Sequence, residues 1–109
     1  MSKFTLADLG QRVKERAKES ADVSYTRKLL DKGIAHCAKK FGEEAVETIM
    51  AAVGEDRERL IAESADTLYH LLVLLEARGV TLDEVEALLE TRTKKSGLEE
   101  KASRKETEP

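Results

Sequence analysis

Four acidic residues are spaced so that they could bind a metal ion. Glu44 and Glu47 are three residues apart, and so are Glu63 and Asp66. Residues three apart project from the same side of an α-helix. If two helices fold back on each other through a loop near Gly54, the four carboxylates meet. Hard divalent cations such as Mg²⁺ prefer oxygen ligands, often completed by substrate phosphates. The spacing therefore predicts a Mg²⁺ site for a phosphorylated ligand.

The alternative is that these acids form only a solvated surface, as acidic helix faces commonly do. Two observations favour a site. Glu44 lies at the margin of a predicted apolar stripe, where a purely solvated charge is less expected. Glu63 and Asp66 lie on a helix that becomes apolar all round one turn later, so their side should be partly covered. Buried like charges require a cation or protons.

Basic residues precede the acids in the chain, and they are candidates for phosphate binding: Lys28, Lys32, Lys39 and Lys40. Ammonium groups bind phosphate as point charges. For Lys28 and Lys32, which share a helix face, a solvated edge is the ordinary interpretation and a phosphate-binding ridge is the sharper one.

Aromatic and imidazole side chains near the acids carry two interpretations each. His70 is one turn after Asp66, and it is either a substrate ligand or proton carrier, or a partner that orients the Asp66 carboxylate. Tyr25 and Tyr69 are more typical of core or rim aromatics than of platforms for stacking a base.

Helical periodicity indicates the elements that must position these groups. Thr5 begins a capping box, and the first helix is predicted over Leu6 to about Glu19. A short helical turn over residues 27–33 is ended by Gly33. Two long helices follow, at about Ile34–Val53 and Arg57–Arg78, and a fourth runs from Leu82 to about Lys94. Gly42, inside the second long element, suggests a close approach by another group.

Apolar stripes predict which helix faces point to the core. The stripe of the helix beginning at Ile34 comprises Ile34, Ala38, Phe41, Ala45, Ile49 and Ala52. That of the next helix comprises Ile61, Ala65, Leu68, Leu72 and Leu75, with Glu63, Asp66 and His70 on the opposite side. The run Leu71–Leu75 is apolar all round, which is typical of a helix buried on every side. In so small a chain we expect a partner to cover it, and we predict a homodimer.

Composition limits the remaining possibilities. The 109 residues predict one all-α domain over 1–94, followed by a charged tail at 95–109 whose composition is typical of a mobile segment. The net charge of −3 disfavours non-specific nucleic-acid binding. Cys37 is the only cysteine, so no intrachain disulfide forms. No signal segment or membrane-length apolar run is seen, and we expect a soluble, cytoplasmic protein.

Several motifs resemble one family over nearly the whole chain, from about Phe4 to Lys105. They are Ser24-Tyr25-Thr26 with Lys28-Leu29-Leu30, Lys40-x-Gly42-Glu43-Glu44-x-x-Glu47, Glu63-x-Ala65-Asp66-x-x-Tyr69-His70-Leu71-Leu72-Val73-Leu74, and the tail Gly97–Arg104. The sequence resembles phosphoribosyl-ATP pyrophosphatases, the histidine-biosynthesis enzymes of the all-α, MazG-like nucleotide pyrophosphohydrolase superfamily. The acidic pairs alone are typical of the superfamily, whereas the other segments are family-specific. The tail's likeness to the family also weakens the prediction of mobility, since its basic residues could fold over a ligand.

The resemblance implies a fold of four to five helices completed by homodimerisation. It implies Mg²⁺-dependent hydrolysis of phosphoribosyl-ATP between its α- and β-phosphates, giving phosphoribosyl-AMP and pyrophosphate. The family's metal ligands correspond to Glu44, Glu47, Glu63 and Asp66. Ser24, Tyr25, Thr26, Lys28, Lys32, Lys39, Lys40 and His70 form the predicted substrate-binding set.

Two questions stay open at this level. Glu43 or Glu47 could take the proton of the attacking water, and either Glu43 or Glu44 could face the ion. Two other functions are also compatible with the sequence: a house-cleaning pyrophosphohydrolase of another nucleoside triphosphate, and a non-enzymatic helical dimerisation module.

Overall fold

Six α-helices make up the described part of the chain, rather than the four to five that were predicted, because the C-terminal segment adds one. The computed structural model describes residues 3–94 and 97–107, and it contains no strand within those ranges. The helices are α1 (Leu6–Ala17), α2 (Tyr25–Asp31), α3 (Ile34–Gly54), α4 (Arg57–Ala77), α5 (Leu82–Thr93) and α6 (Gly97–Thr107). The prediction of an all-α fold is confirmed, and the predicted boundaries of the long helices lie within about two residues of those observed.

Local capping sets most of the helix starts. Thr5 and Asp8 form a reciprocal capping box at α1, in which the Asp8 N–H donates to the Thr5 hydroxyl over 3.1 Å. Thr81 and Glu84 do the same at α5. Such side chains satisfy N–H groups that have no partner within the helix. Gly33 joins α2 to α3 at a φ of 97°, a backbone conformation that side-chain-bearing residues rarely adopt.

Helices α3 and α4 form an antiparallel hairpin that dominates the structure. Only Glu55 and Asp56 separate the two helices, and the Asp56 carboxylate caps α4 by accepting from the Arg59 N–H over 2.9 Å. Helices α1 and α2 pack across one end of the hairpin, where α3 begins and α4 ends. The acidic residues lie toward the other end, nearer the turn.

The buried core lies where α1 and α2 cover the hairpin. Its buried members are Val13, Leu29, Cys37, Leu72 and Val73, surrounded by partly buried residues that include Leu9, Tyr69 and Leu82. The run Leu71–Leu75 is therefore covered by its own chain at Leu72 and Val73, with the rest partly exposed. Helices α1 and α2 thus cover Leu72 and Val73 without a partner chain, and the need for a partner to cover the rest of the run stays a prediction.

Most of the predicted apolar stripes of the hairpin do not face the core of the single chain, although Leu72 of the α4 stripe is buried there and Leu75 packs against it. On α3, Ile34 and Ile49 are exposed, and the buried residues are Cys37 and Ala51. On α4, Ile61 is exposed, whereas the predicted polar side contributes the buried Glu63 and His70. The hairpin thus turns its acidic side inward, toward the helix–helix contact, and leaves an apolar side uncovered.

The segment predicted as a charged tail contains a helix. Residues 97–107 form α6, which contacts α5. Residues 95, 96, 108 and 109 of that segment lie outside the described residues, and its division from a 1–94 domain stays a prediction. Across the described ranges, none of the helices has the length and apolarity needed to span a membrane.

Candidate metal centre

Three carboxylates converge between α3 and α4. Glu44, Glu63 and Asp66 each offer an oxygen, and these oxygens all lie within 4.8 Å of one another. Glu63 is only 4 % exposed, Glu44 is half-buried and Asp66 is exposed. Cations in oxygen sites bind their ligands at about 2.0 to 2.6 Å, so opposite ligand oxygens are about 4 to 5 Å apart. The donor set therefore fits a hard divalent cation such as Mg²⁺ or Ca²⁺.

The electrostatics of the cluster favour a cation. Burial raises the pKa of Glu44, and the neighbouring carboxylates of Glu47, Asp66 and Glu63 raise it further. Burial also raises the pKa of Glu63, where Glu47 and Asp66 add to the effect. Neighbouring carboxylates disfavour ionisation because their negative charges repel. A bound cation would remove that repulsion and stabilise the ionised forms. Glu47, the fourth predicted ligand, is not one of the three converging carboxylates, but it contributes to the raised pKa of both Glu44 and Glu63.

The hairpin explains why acids far apart in sequence meet. The helices are antiparallel, so a residue later in α3 lies opposite a residue earlier in α4. The hydroxyl of Thr48 contacts the carbonyl oxygen of Glu63 at 3.0 Å, and that of Thr67 contacts the carbonyl oxygen of Glu44 at 2.9 Å. This register brings Glu44 of α3 beside Glu63 and Asp66 of α4.

Glu43 and Glu44 occupy different surroundings. The Glu43 carboxylate lies 3.4 Å from the ammonium of Lys40 and outside the three-carboxylate cluster, whereas Glu44 belongs to it. The ion pair with Glu43 raises the pKa of Lys40, and Tyr25 and Glu44 add smaller contributions. Lys40 is thus a cation at the margin of the acidic cluster.

Arg59 is a second cation at the cluster, and it was not among the site residues predicted from the sequence. Its Nη2 lies 3.5 Å from Oε2 of the buried Glu63, and its Nε lies 3.4 Å from the Glu55 carboxylate. The guanidinium lowers the pKa of Glu63 and so opposes the neighbouring acids. The four-residue spacing from Glu55 to Arg59 and from Arg59 to Glu63 is typical of helix ion pairs and could have indicated it.

His70 lies buried beside the lysine end of the cluster. It is 7 % exposed, and its Nδ1 atom has no hydrogen-bond partner among the described residues. Edge-on aromatic contacts surround it, with ring centroids 5.1 Å away at Tyr69 and 6.5 Å away at Tyr25. Within the described chain no hydrogen bond joins it to Asp66, so the predicted pairing of these two residues is not seen.

The hydroxyl residues of the Ser24–Thr26 segment have mostly structural contacts. Ser24 is buried and caps α2, and its hydroxyl donates to the Arg16 carbonyl over 2.8 Å. Thr26 is buried and shares a 2.6 Å hydrogen bond with the Tyr69 hydroxyl. Tyr25 is 55 % exposed, so it is the member of the segment that remains accessible to a ligand.

The structure does not bring all four predicted lysines to the acids. Lys28, Lys32 and Lys39 are exposed, and within the described ranges no ion pair joins them to the cluster. Lys40 is the member of the set that reaches it. An open groove of about 560 Å³ runs along α3 beside Lys40, lined also by Gly42, Glu43, Glu44, Val46 and Glu47. This groove leaves room for a ligand at the edge of the carboxylates.

Fold and cluster together define an all-α protein with a carboxylate centre suited to a divalent cation and an anionic ligand. Comparison with known sequences makes this more specific. The sequence model of the family described as Phosphoribosyl-ATP pyrophosphohydrolase matches residues 6–93. The chain belongs to this family.

Curated relatives agree over nearly their full lengths. The chain is 66 % identical over 106 residues to "Phosphoribosyl-ATP pyrophosphatase 1" of Bradyrhizobium diazoefficiens, covering 97 % of this chain and 100 % of the relative. It is 64 % identical to the protein of the same name from Rhodopseudomonas palustris, covering 96 % and 98 % of the two chains. It is 57 % identical to "Phosphoribosyl-ATP pyrophosphatase" of Paracoccus denitrificans, covering 89 % and 90 %.

Proposed function

We propose that this protein hydrolyses phosphoribosyl-ATP to phosphoribosyl-AMP and pyrophosphate, a step of histidine biosynthesis. Membership of the family and the near full-length identity to curated phosphoribosyl-ATP pyrophosphatases support the activity. The convergence of Glu44, Glu63 and Asp66 is the structural observation that carries it. A helical dimerisation module would not require three carboxylates to converge at a place where Asp66 raises the pKa of both Glu44 and Glu63.

The carboxylates of Glu44, Glu63 and Asp66, with Glu47 beside them, would hold Mg²⁺. When bound, the ion supplies positive charge that neutralises the charge developing on the phosphate oxygens. The burial of Glu63 and its backbone contacts hold this side of the site in place before the substrate arrives. A fixed ligand set is valuable because it does not have to reorganise as the reaction proceeds.

A carboxylate of the chain removes the proton from the attacking water. The water oxygen forms a new bond to phosphorus, the bridging oxygen of the α–β anhydride leaves with pyrophosphate, and the carboxylate accepts the water proton. Glu47 is our candidate for this base, because it lies beside Glu44 and Glu63. Glu43 is the alternative, but its carboxylate is paired with Lys40 and lies outside the three-carboxylate cluster.

Lys40, Tyr25 and His70 would contact the substrate on one side of the cluster. Lys40 carries a positive charge into the groove beside Glu43 and Glu44, where a phosphate could pair with it. The buried His70 Nδ1 atom is available to one hydrogen-bond partner from the ligand. The structure gives less support to the other predicted substrate contacts. The hydroxyls of Ser24 and Thr26 make hydrogen bonds within the protein, and the remaining members are exposed lysines: Lys28, Lys32 and Lys39.

The protein is expected to act as a homodimer. The α3–α4 hairpin exposes seven large apolar side chains: Ile34, Val46, Ile49, Met50, Val53, Ile61 and Leu68. Exposed apolar surface of this extent is typical of an interaction face. A second copy, bringing the same face, would bury it by a self-complementary contact.

The test is pyrophosphate release from phosphoribosyl-ATP, compared with ATP and dUTP, in Mg²⁺ and in EDTA. We expect Mg²⁺-dependent release from phosphoribosyl-ATP and far slower release from the other two. Release from ATP or dUTP instead would retain the metal centre but reject the substrate. No release from any of the three would reject the enzymatic function.

A further inference from the structure

We propose that Thr48 and Thr67 are positioning residues whose hydroxyls set the distance between Glu44 and Glu63, and thereby the affinity of the centre for a divalent cation. We call this pair the threonine clamp. The inference rests on the metal centre of the proposed function, and it concerns two residues outside the three converging carboxylates.

The clamp is a compact set of hydrogen bonds between α3 and α4. The two hydroxyl oxygens lie 2.7 Å apart. Thr48 Oγ1 lies 3.0 Å from the carbonyl oxygens of both Glu44 and Glu63, and Thr67 Oγ1 lies 2.9 Å from that of Glu44. Both threonines are half-buried. The contacts thus end on the backbone of two proposed ligands, one from each helix.

Two arrangements of the hydroxyl protons use both the contact between the threonines and a carbonyl group of the opposite helix. If Thr67 donates to Thr48, then Thr48 can donate to the carbonyl of Glu63. If Thr48 donates to Thr67 instead, then Thr67 can donate to the carbonyl of Glu44. Either chain of hydrogen bonds ends on the opposite helix, beside an acidic ligand. The clamp therefore links α3 to α4 at the level of the cluster whichever arrangement is occupied.

The spacing along each helix explains why this link acts on the carboxylates. Thr48 is four residues after Glu44, and Thr67 is four residues after Glu63, so each threonine shares a helix face with one glutamate. A slide or rotation of α3 against α4 would separate the two glutamates and break the clamp together. Small cations such as Mg²⁺ demand near-ideal geometry, so a shift of about 0.5 Å between ligands matters.

Packing alone does not account for threonine at these positions. Valine has nearly the same shape, and a helix–helix contact would accept it, but it cannot make the hydrogen bonds. Thr→Val substitution therefore removes the clamp while it keeps the volume. A merely structural role would lower the free energy of unfolding and leave the cation affinity of the folded protein unchanged.

The experiment measures Mn²⁺ and Mg²⁺ affinity of the full chain by calorimetry, without substrate, alongside the free energy of unfolding in urea. Groups that orient metal ligands contribute about 10- to 100-fold to affinity, and we expect Thr48→Val to lie in that range. Thr48→Ser retains the hydroxyl and should bind within about threefold of wild type. Thr91→Val is the matched control, because Thr91 makes the same bond to the carbonyl four residues earlier on exposed α5, over 3.1 Å.

Thr67→Val is the second variant, for the case in which Thr48→Val does not fold. In Thr67→Val the Thr48 hydroxyl still lies beside the carbonyl oxygens of Glu44 and Glu63, so we expect the hairpin to fold. We expect its cation affinity to fall about threefold to tenfold. Wild-type affinity in the folded Thr→Val variants would overturn the clamp while the metal centre stands. Absence of cation binding by the wild type would overturn the metal centre itself, and the clamp's role with it.

Discussion

Arg59 supplies the cluster with a positive charge from the side opposite Lys40. Its guanidinium contacts the buried carboxylate of Glu63, and it is half exposed, so it can also reach a bound anion. Arginine suits phosphate because its planar group can donate two parallel hydrogen bonds. A polyphosphate lying across the centre would then meet a cation at each end.

We expect Arg59→Gln to raise KM for phosphoribosyl-ATP roughly tenfold with a smaller change in kcat, because a hydrogen bond to a charged group contributes about 1.5 to 3 kcal/mol when fully formed. Steady-state kinetics in saturating Mg²⁺ measure this. Arg57→Gln is the control, since Arg57 is exposed in the same helical turn and no ion pair joins it to the described residues. Equal KM values for the two variants would exclude Arg59 from substrate binding.

His70 should make the stability of the protein depend on pH. Burial lowers its pKa below the ordinary value of 6.5, Lys40 lowers it further, and Asp66 and Glu43 oppose the shift. Tyr25 and Tyr69 also face the ring. The unfolded chain therefore takes up the proton first as the pH falls, so stability present above pH 6.5 is lost below it.

The measurement is the free energy of unfolding of wild type and His70→Gln from about pH 7.5 to 5.5. We expect the difference between them to shrink as the pH falls, because the wild type alone loses this contribution. His36→Gln, at a half-exposed position of α3, is the control. A difference that stays constant over this range would show that His70 does not change its protonation preference on folding.

Gly79 and Gly42 lie in different backbone environments, one at a helix end and one inside a helix. Gly79 follows the last turn of α4 at a φ of 71°, and the Val80 N–H donates to the Leu75 carbonyl over 2.9 Å. Gly42 lies within α3, and a Cβ added there would meet nothing within 4 Å. The close approach that the sequence suggested at Gly42 is therefore not made by the described chain.

Alanine at these two positions should act in opposite directions. Gly79→Ala should destabilise the protein by about 1 to 2 kcal/mol, because a side chain strains the left-handed conformation. Gly42→Ala should stabilise it by about 1 kcal/mol through helix propensity. Urea unfolding measures both. Destabilisation by Gly42→Ala would show that a group outside this chain packs against the position.

The existence and order of α1 to α5 could be predicted from the sequence because they depend on local signals, whereas α6 lies in a segment whose composition predicted a mobile tail. The capping boxes Thr5–Asp8 and Thr81–Glu84, for example, each mark the start of a helix within four residues of sequence. The orientation of α3 and α4 about their axes could not, because both helices carry more apolar residues than one chain covers. Periodicity located the apolar side of each helix, but it did not show that the acidic side faces the neighbouring helix.

The acidic part of the candidate site could be predicted from the sequence, but the groups around it could not. The three-residue spacings and the turn near Gly54 suffice to bring Glu44, Glu63 and Asp66 together. Proximity in sequence, by contrast, was a poor guide to which lysines approach them. Lys28 lies on α2 and Lys32 is the residue that caps its C-terminus, and both are exposed without an ion pair to the cluster among the described residues. Thr48 and Thr67 carry no recognised motif, and their contact depends on the register of two helices.

At the scale of the whole molecule, the exposed apolar side chains of the α3–α4 hairpin are the feature that predicts a partner chain. Ile49 and Ile61, one from each helix, are 61 % and 57 % exposed. We expect Ile49→Glu or Ile61→Glu to convert a dimer to a monomer, because a charge would be buried in an apolar contact. Sedimentation velocity over a range of protein concentrations measures this.

Val23→Glu is the control for the dimer, because Val23 is 75 % exposed between α1 and α2, away from the hairpin's apolar side. It should leave the association unchanged. A wild-type protein that sediments as a monomer at micromolar concentrations would contradict the homodimer, as would a dimer that survives both glutamate substitutions.

The most direct test of the account combines activity and stability in the double variant Glu44→Ala, Asp66→Ala. If the carboxylates hold a catalytic cation, pyrophosphate release from phosphoribosyl-ATP should fall by at least about 100-fold, since even groups that only orient metal ligands contribute 10- to 100-fold. In EDTA, the variant should be more stable to urea than the wild type, because like charges no longer repel. Turnover that survives the double substitution would contradict the metal centre.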